Sequence, residues 1–207
     1  MKSRSHRFPE ASPSALPPAT ADDPLADNAR THVDLIRKAL AVVRPQFRLD
    51  AANGIHGVPH WSRVWFHGRR LAQALEVNPH ILAWFAFLHD SQRRNDGWDP
   101  GHGRRAADYA VRLRRERVVV ELSPGEFECL CEAMRLHSDG HVVGEPAILA
   151  CWDSDRLDLA RVGIRPDPDR LGTGPARRRE TIEQAVRLAR GEPSGVRAGS
   201  RRGRDTP

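Results

Sequence analysis

The sequence predicts an all-α fold, a compact helical bundle held between two loose ends, and three observations carry that prediction. Apolar residues recur at helical three-and-four spacing in almost every segment. Capping residues and first-turn prolines punctuate the chain at Asn78-Pro79, Asp99-Pro100 and Ser123-Pro124. Alternating β-branched runs are scarce and no internal repeat is visible.

Taken in order, the first helix is expected from about Ala29 to Val43, with Val33, Ile36, Leu40 and Val43 on its core stripe. A second begins near His60 and repeats the pattern through Val64, Gly68, Leu71 and Leu75. Asn78 and Pro79 open the third, where Ile81, Leu82, Trp84, Phe85, Phe87 and Leu88 are apolar nearly all round, the mark of a helix in the middle of a bundle. Asp99 and Pro100 signal a fourth, with Ala106, Ala110 and Leu113 on one side. Ser123, Pro124 and Glu126 form a capping-box start for a fifth, followed by Phe127, Leu130 and Met134. Residues from Pro146 to Val162 read as one helix or a broken pair, and Glu180 to Arg190 as the last.

At 207 residues and 39% hydrophobic content the chain suffices for one sizeable core. The domain is expected over residues 28–190. Residues 1–27, rich in Pro, Ala and Ser, and the basic stretch 191–207 lack apolar periodicity and read as disordered tails. Cys129, Cys131 and Cys151 are odd in number and without zinc-type spacing, which argues against a disulfide framework and fits a cytoplasmic protein. No stretch approaches the ~20 apolar residues of a membrane span. The net charge of +6 raises the question of a nucleic-acid partner, but the arginines are scattered and not interleaved with aromatics, so that partner is disfavoured. A small phosphorylated substrate suits the charge equally well. Oligomeric state is not written in the sequence.

Several metal-capable side chains fall on the apolar stripes, where burial is costly unless a partner compensates. His60 is in register with Val64 and Leu71, while His89 and Asp90 end the most apolar helix. His102 precedes Ala106, Ala110 and Leu113; His137 follows Phe127, Leu130 and Met134; Asp155 shares a stripe with Ile148, Trp152, Leu159 and Val162. One such histidine is usually a satisfied core residue. Several at once need a common partner, and a divalent cation is the simplest one. Imidazole mixed with carboxylate suits Mn, Fe, Co, Ni or Zn, and the lack of usable thiolates disfavours a structural zinc site.

The ordered pattern of His60 in Pro-His-Trp-Ser-Arg-Val, the adjacent His89-Asp90, and Asp155 in Ser-Asp-Arg-Leu resembles the HD domain superfamily of metal-dependent phosphohydrolases, in particular small stand-alone bacterial members. The likeness spans about Gly57 to Gly163. It implies His60, His89, Asp90 and Asp155 as metal ligands, with Asp153 the alternative for the last and Asp158 a structural or capping residue. One ion is favoured and two are possible, since some members use extra histidines, here His102 and His137, for a second.

The implied activity is hydrolysis of a phosphomonoester or phosphoanhydride of a nucleotide or related metabolite. Asp90 would orient the attacking water or take its proton, and His102 and His137 would contact phosphate or the leaving group. Arg63, Arg93, Arg94 and Arg156 are candidates for neutralising phosphate charge. Trp98, in the loop from Ser91 to Gly101, has two readings, stacking on a base and ordinary packing. Two alternatives stay open: an HD-type di-iron oxygenase, and a non-catalytic nucleotide- or nucleic-acid-binding module.

Overall fold

Residues 24–192 are described by the computed structural model, with side chains from Thr31 onward, and every regular element among them is helical. The order is α1 (Pro24–Val43), a 3-10 turn (Arg44–Gln46), α2 (Val58–Leu75), α3 (Pro79–Leu88), α4 (His102–Arg115), α5 (Pro124–Leu136) and α6 (Pro146–Arg156). After α6 come two 3-10 segments (Leu157–Val162 and Pro168–Arg170), a single turn α7 (Gly174–Arg177) and α8 (Arg179–Ala189). Of the expected tails, residues 1–23 and 193–207 lie outside the described residues. Residues 24–27 are helical, because Pro24 opens α1 ahead of the expected Ala29, and its locked φ suits a helix first turn.

The middle of the bundle is α3. All eight residues from Ile81 to Leu88 are buried, and the helix packs against α1, α2, α4, α5 and α6. Each large side chain buried there contributes roughly 1.5–3 kcal/mol, so α3 is anchored along its length. Asn78 caps it, accepting the His80 amide at 2.9 Å. The Asn78 side chain also donates to Glu126 Oε1 at 2.8 Å, while Glu126 Oε2 accepts the Ser123 amide in the capping box of α5. One carboxylate thus ties the starts of α3 and α5 together, and their far ends, His89 and His137, converge as well.

Two expectations need correction, and one open alternative is decided. The buried residues of α1 are Leu35, Ala39 and Val43, whereas Val33 is 45% exposed and Ile36 and Leu40 are only partly covered. Among the helices α1 packs mainly on α3, and a helix with one neighbour buries a narrow stripe at spacing four. The fourth helix starts at His102 behind Gly101, because the Asp99 carboxylate is engaged by the Arg94 amide and the Arg105 guanidinium. The segment after Pro146 is a broken pair: α6 ends at Arg156 and tightens into a 3-10 run that stops at Gly163, whose φ of 82° suits glycine.

Two close approaches set the spacing of the bundle. A Cβ on Gly103 would run into the Met134 carbonyl oxygen and press on the His137 ring, so the glycine lets α4 lie against α5. At Gly68 the Leu82 Cβ would stand 3.1 Å away, a milder conflict between α2 and α3. In contrast, Gly125 in the first turn of α5 has open space around it. Gly103→Ala is therefore expected to cost about 1–3 kcal/mol of stability through overpacking, and Gly125→Ala to gain up to about 1 kcal/mol from helix propensity. Urea unfolding of the two variants checks the pair; a stable Gly103→Ala protein would show that α4 and α5 do not depend on that contact.

His67 lies on the buried face of α2, two turns after His60, and is only 4% exposed. Burial, with nearby Arg63 and Arg70 adding to it, depresses its pKa from 6.5 to about 4. Between those values the unfolded chain binds the proton and the folded one does not. The contribution is thus full above pH 6.5 and is lost as pH falls towards about 4. The loss amounts to roughly 3 kcal/mol. In denaturant titrations the wild type should lose about that much more than His67→Gln over this interval, and parallel losses would contradict it.

Candidate metal centre

Four histidines of the bundle have their tautomers set by backbone or carboxylate acceptors. His89 Nδ1 lies 3.0 Å from the Phe85 carbonyl and His137 Nδ1 2.7 Å from that of Met134. His102 Nδ1 meets the Asp99 carbonyl, and His60 Nδ1 lies 2.7 Å from Asp158 Oδ2. These partners only accept, so in each ring Nδ1 carries the hydrogen and Nε2 is left with a lone pair. The Nε2 atoms nevertheless face one another, His60 to His89 at 3.2 Å and His102 to His137 at 2.8 Å. Two lone pairs at such separations repel unless a proton or a cation lies between them.

Asp90 stands between the two pairs. Its Oδ2 is 3.6 Å from His60 Nε2 and 3.5 Å from His89 Nε2, and its Oδ1 is 3.2 Å from His102 Nε2 and 3.7 Å from His137 Nε2. Asp155 joins the first pair, with Oδ1 3.5 Å from His60 Nε2 and 3.8 Å from His89 Nε2. That Asp155 oxygen is buried and has no hydrogen-bond partner. An orphaned carboxylate oxygen aimed at two imidazole lone pairs is a donor set for a cation, and groups drawn from His56, His60, His89, Asp90, His137 and Asp155 could hold a metal ion.

The charge states agree with that use. Burial works against ionisation of Asp90, yet His89, His102, His137 and His56 hold its carboxyl well below the usual range. Asp155 is opposed by burial in the same way and is still drawn down to about 2 by His89, His60 and Arg161. Burial lowers His89 to about 3, which keeps its ring neutral with Nε2 free. His60 and His137 resist protonation through burial but end with raised pKa values because carboxylates face them, Asp158 and Asp90 for the first and Asp90 for the second. Near neutrality the two central carboxylates are ionised, as metal ligands must be.

The elements deliver these groups by their ends. His60 sits in the first turns of α2, His102 opens α4, and His89 and His137 cap the C-terminal ends of α3 and α5. Asp155 belongs to the last turn of α6. Three helix C-terminal ends and the starts of α2 and α4 therefore meet at one place, so the side chains, not the helix dipoles, set its charge.

Among the other sequence-predicted residues, Arg93 is at the centre, with Nη1 3.4 Å from Asp90 Oδ1 and 3.2 Å from His102 Nε2 and Nη2 donating to the Gly97 carbonyl at 2.8 Å. Arg63 is bound to Asp158, at 2.6 Å through Nε and 3.1 Å through Nη2. Arg94 is exposed, and its backbone amide, not its side chain, is the group that bonds, to Asp99. Arg156 donates to the carbonyls of His141 and Arg170 and lines a cleft of about 300 Å³ beside His137 and Asp155. Trp98 is 87% exposed. Asp153 is turned away from the cluster and accepts the amides of Gly172 and Thr173 at 2.8 and 2.7 Å. Asp158 orients His60 from behind.

Sequence reasoning missed four contributors. His56, in the turn before α2, bonds Asp90 Oδ2 through Nδ1 at 2.7 Å. Its placement four residues before His60 was the available signal. Arg161, in the 3-10 run, donates to the Ile55 carbonyl and lies 4.0 Å from Asp155. Arg165 and Arg170 line the cleft with Arg156. These arginines sit in short 3-10 segments or irregular backbone, where α-helical periodicity gives no signal.

No protein-family model matches the chain, and no curated protein matches it. Among solved structures, a predicted HD superfamily hydrolase from an uncultured Thermotogales bacterium is similar, with a TM-score of 0.57 and 23% identity over 75% of this chain and 87% of that one. With that likeness the chain has the HD-type helical fold, and its His and Asp cluster could hold a metal ion.

Proposed function

We propose that the protein is a metal-dependent phosphohydrolase acting on a phosphomonoester or phosphoanhydride of a small metabolite such as a nucleotide. The observation that carries the reading is the position of the Asp90 carboxylate, one oxygen towards His60 and His89 and the other towards His102 and His137. His60, His89 and Asp155 with Asp90 would hold one ion. Asp90 with His102 and His137 would hold a second, which shifts the balance from one ion towards two. A divalent cation there supplies a lowered pKa for its water and a polarised phosphoryl oxygen.

The remaining work falls to the chain itself. His56 donates to Asp90 Oδ2 and fixes the carboxylate plane, and Asp158 fixes the His60 ring. Of the cluster, His137 and Asp155 border the cleft, so substrate approaches from that side. Arg156, Arg165 and Arg170 give the cleft a positive wall suited to phosphate oxygens, and Leu159, Ile164, Pro166 and Leu171 give it an apolar one. At about 300 Å³ it has the size of a small-molecule pocket, not of a polymer track. The di-iron oxygenase alternative would use the same ligands, but three arginines beside them favour a phosphorylated substrate.

Elemental analysis beside a phosphatase screen with Mn²⁺, Co²⁺ or Ni²⁺ tests the proposal. Two ions per chain are expected, falling to one in His102→Ala and His137→Ala, while His89→Ala and Asp90→Ala lose metal and turnover together with the helical circular-dichroism signal kept. Full turnover in both of the latter would remove the hydrolase reading, and iron with oxygen-dependent turnover would point to the oxygenase. Exchanging Arg165 and Arg170 for alanine should raise KM about tenfold or more with kcat little changed, the pattern of lost uniform binding. An unaltered KM would take the substrate away from this cleft.

A further inference from the structure

A second cavity, of about 100 Å³, lies at the seam of α2 with α7 and α8 and shares no lining residue with the cleft beside the metal centre. His67 lines it, and around it are Arg70, Pro175, Arg178, Thr181 and Gln184, with no carboxylate in the lining. Three features converge there. The His67 side chain is 4% exposed, and its Nε2 is buried without a hydrogen-bond partner. Arg70 and Arg178 are exposed, and neither guanidinium forms an ion pair or hydrogen bond with a described residue. Arg178 is also the N-cap of α8 and supplies no side-chain cap.

The first intrahelical backbone bond of α8 runs from the Ile182 amide to the Arg178 carbonyl, so the amides of Arg179, Glu180 and Thr181 have no acceptor within the helix. An 11-residue helix directs the positive end of its dipole at that point. Two arginines without an ion pair, Arg70 lying over the Phe66 ring and Arg178 at the N-cap, together with a helix N-terminus and a buried imidazole, are complementary to one kind of ligand, a compact anion. The volume corresponds to about three water molecules, enough for a tetrahedral oxyanion and too small for a nucleotide.

We propose that this seam is a binding site for a small tetrahedral oxyanion, of the chemistry of inorganic phosphate, distinct from the metal centre. Arg70 and Arg178 supply charge from two elements, the start of α8 supplies amide donors, and the buried His67 ring forms part of the lining. The anion would bridge α2 to α8, behind the Asp158 and Arg63 pair that orients His60. The site does not depend on the hydrolase reading, since its groups include none of the proposed metal ligands.

The test is a titration of the full chain, freed of metal with chelator, with inorganic phosphate at constant ionic strength, followed by phosphorus NMR and by the melting temperature. Saturable binding that raises the melting temperature is expected. The Arg70→Ala and Arg178→Ala variants should each bind about tenfold more weakly, the loss of one charge-assisted hydrogen bond, and the double variant should show no saturation. Both side chains are exposed, so the variants should keep the wild-type circular-dichroism spectrum. Wild-type protein that shows no saturable binding, or a double variant that binds phosphate as the wild type does, would overturn the proposal.

Discussion

The structure depends on how a buried carboxylate is kept ionised. Asp90 is 3% exposed, and an isolated charge in that position would be protonated or would unfold the bundle. It stays charged because five imidazoles and a guanidinium surround it, with His56 and Arg93 bonded directly to its two oxygens. Of these imidazoles, His60, His89, His102 and His137 cannot donate to it through Nδ1, since those hydrogens are already committed to backbone carbonyls and to Asp158. What they offer to the centre is lone pairs. A cluster of two carboxylates and four lone pairs has one complementary partner, positive charge of small radius.

Around that centre the chain fixes directions before it fixes contacts. The Asn78, Glu126 and Ser123 network joins the starts of α3 and α5, and Gly103 lets α4 close on α5, so three histidines are aimed by backbone placement and not by flexible side chains. Asp158 performs the corresponding task for α2. It is fully buried, bonds His60 Nδ1, and is itself held by Arg63. Such outer partners decide ring orientation and basicity, which is why the arginine that sequence reasoning assigned to substrate lies behind a ligand.

How much of this was legible follows from where each residue sits. His60, His102, His137 and Asp155 lie on helices or at their ends, and the three-and-four spacing that identifies a core face also identifies a polar residue intruding on it. The apolar run of α3 marked the centre of the bundle, and with it the place where His89 and Asp90 had to emerge. His56, Arg161, Arg165 and Arg170 occupy a turn, two 3-10 segments and an irregular stretch, where position along the chain does not encode direction. The choice between Asp153 and Asp155 was beyond periodicity too. Residues two apart on a helix point some 200° apart, and both faces of α6 are buried, one towards the cluster and the other towards the Gly172 and Thr173 amides.

The same residues show where stability and function oppose each other. Facing imidazole lone pairs and the orphaned Asp155 oxygen are arrangements that folding alone would not favour, and replacing a buried ionic group by apolar side chains is often neutral or stabilising. The bundle tolerates them because the cost falls at helix ends, while the apolar burial that offsets it lies along α3 and the helices packed on it. The side chains of the cluster are brought together by the hydrophobic centre before any cation binds. A cation that binds this arrangement and not the unfolded chain adds its binding free energy to folding, so the strain at the centre and the affinity for metal have a common physical origin.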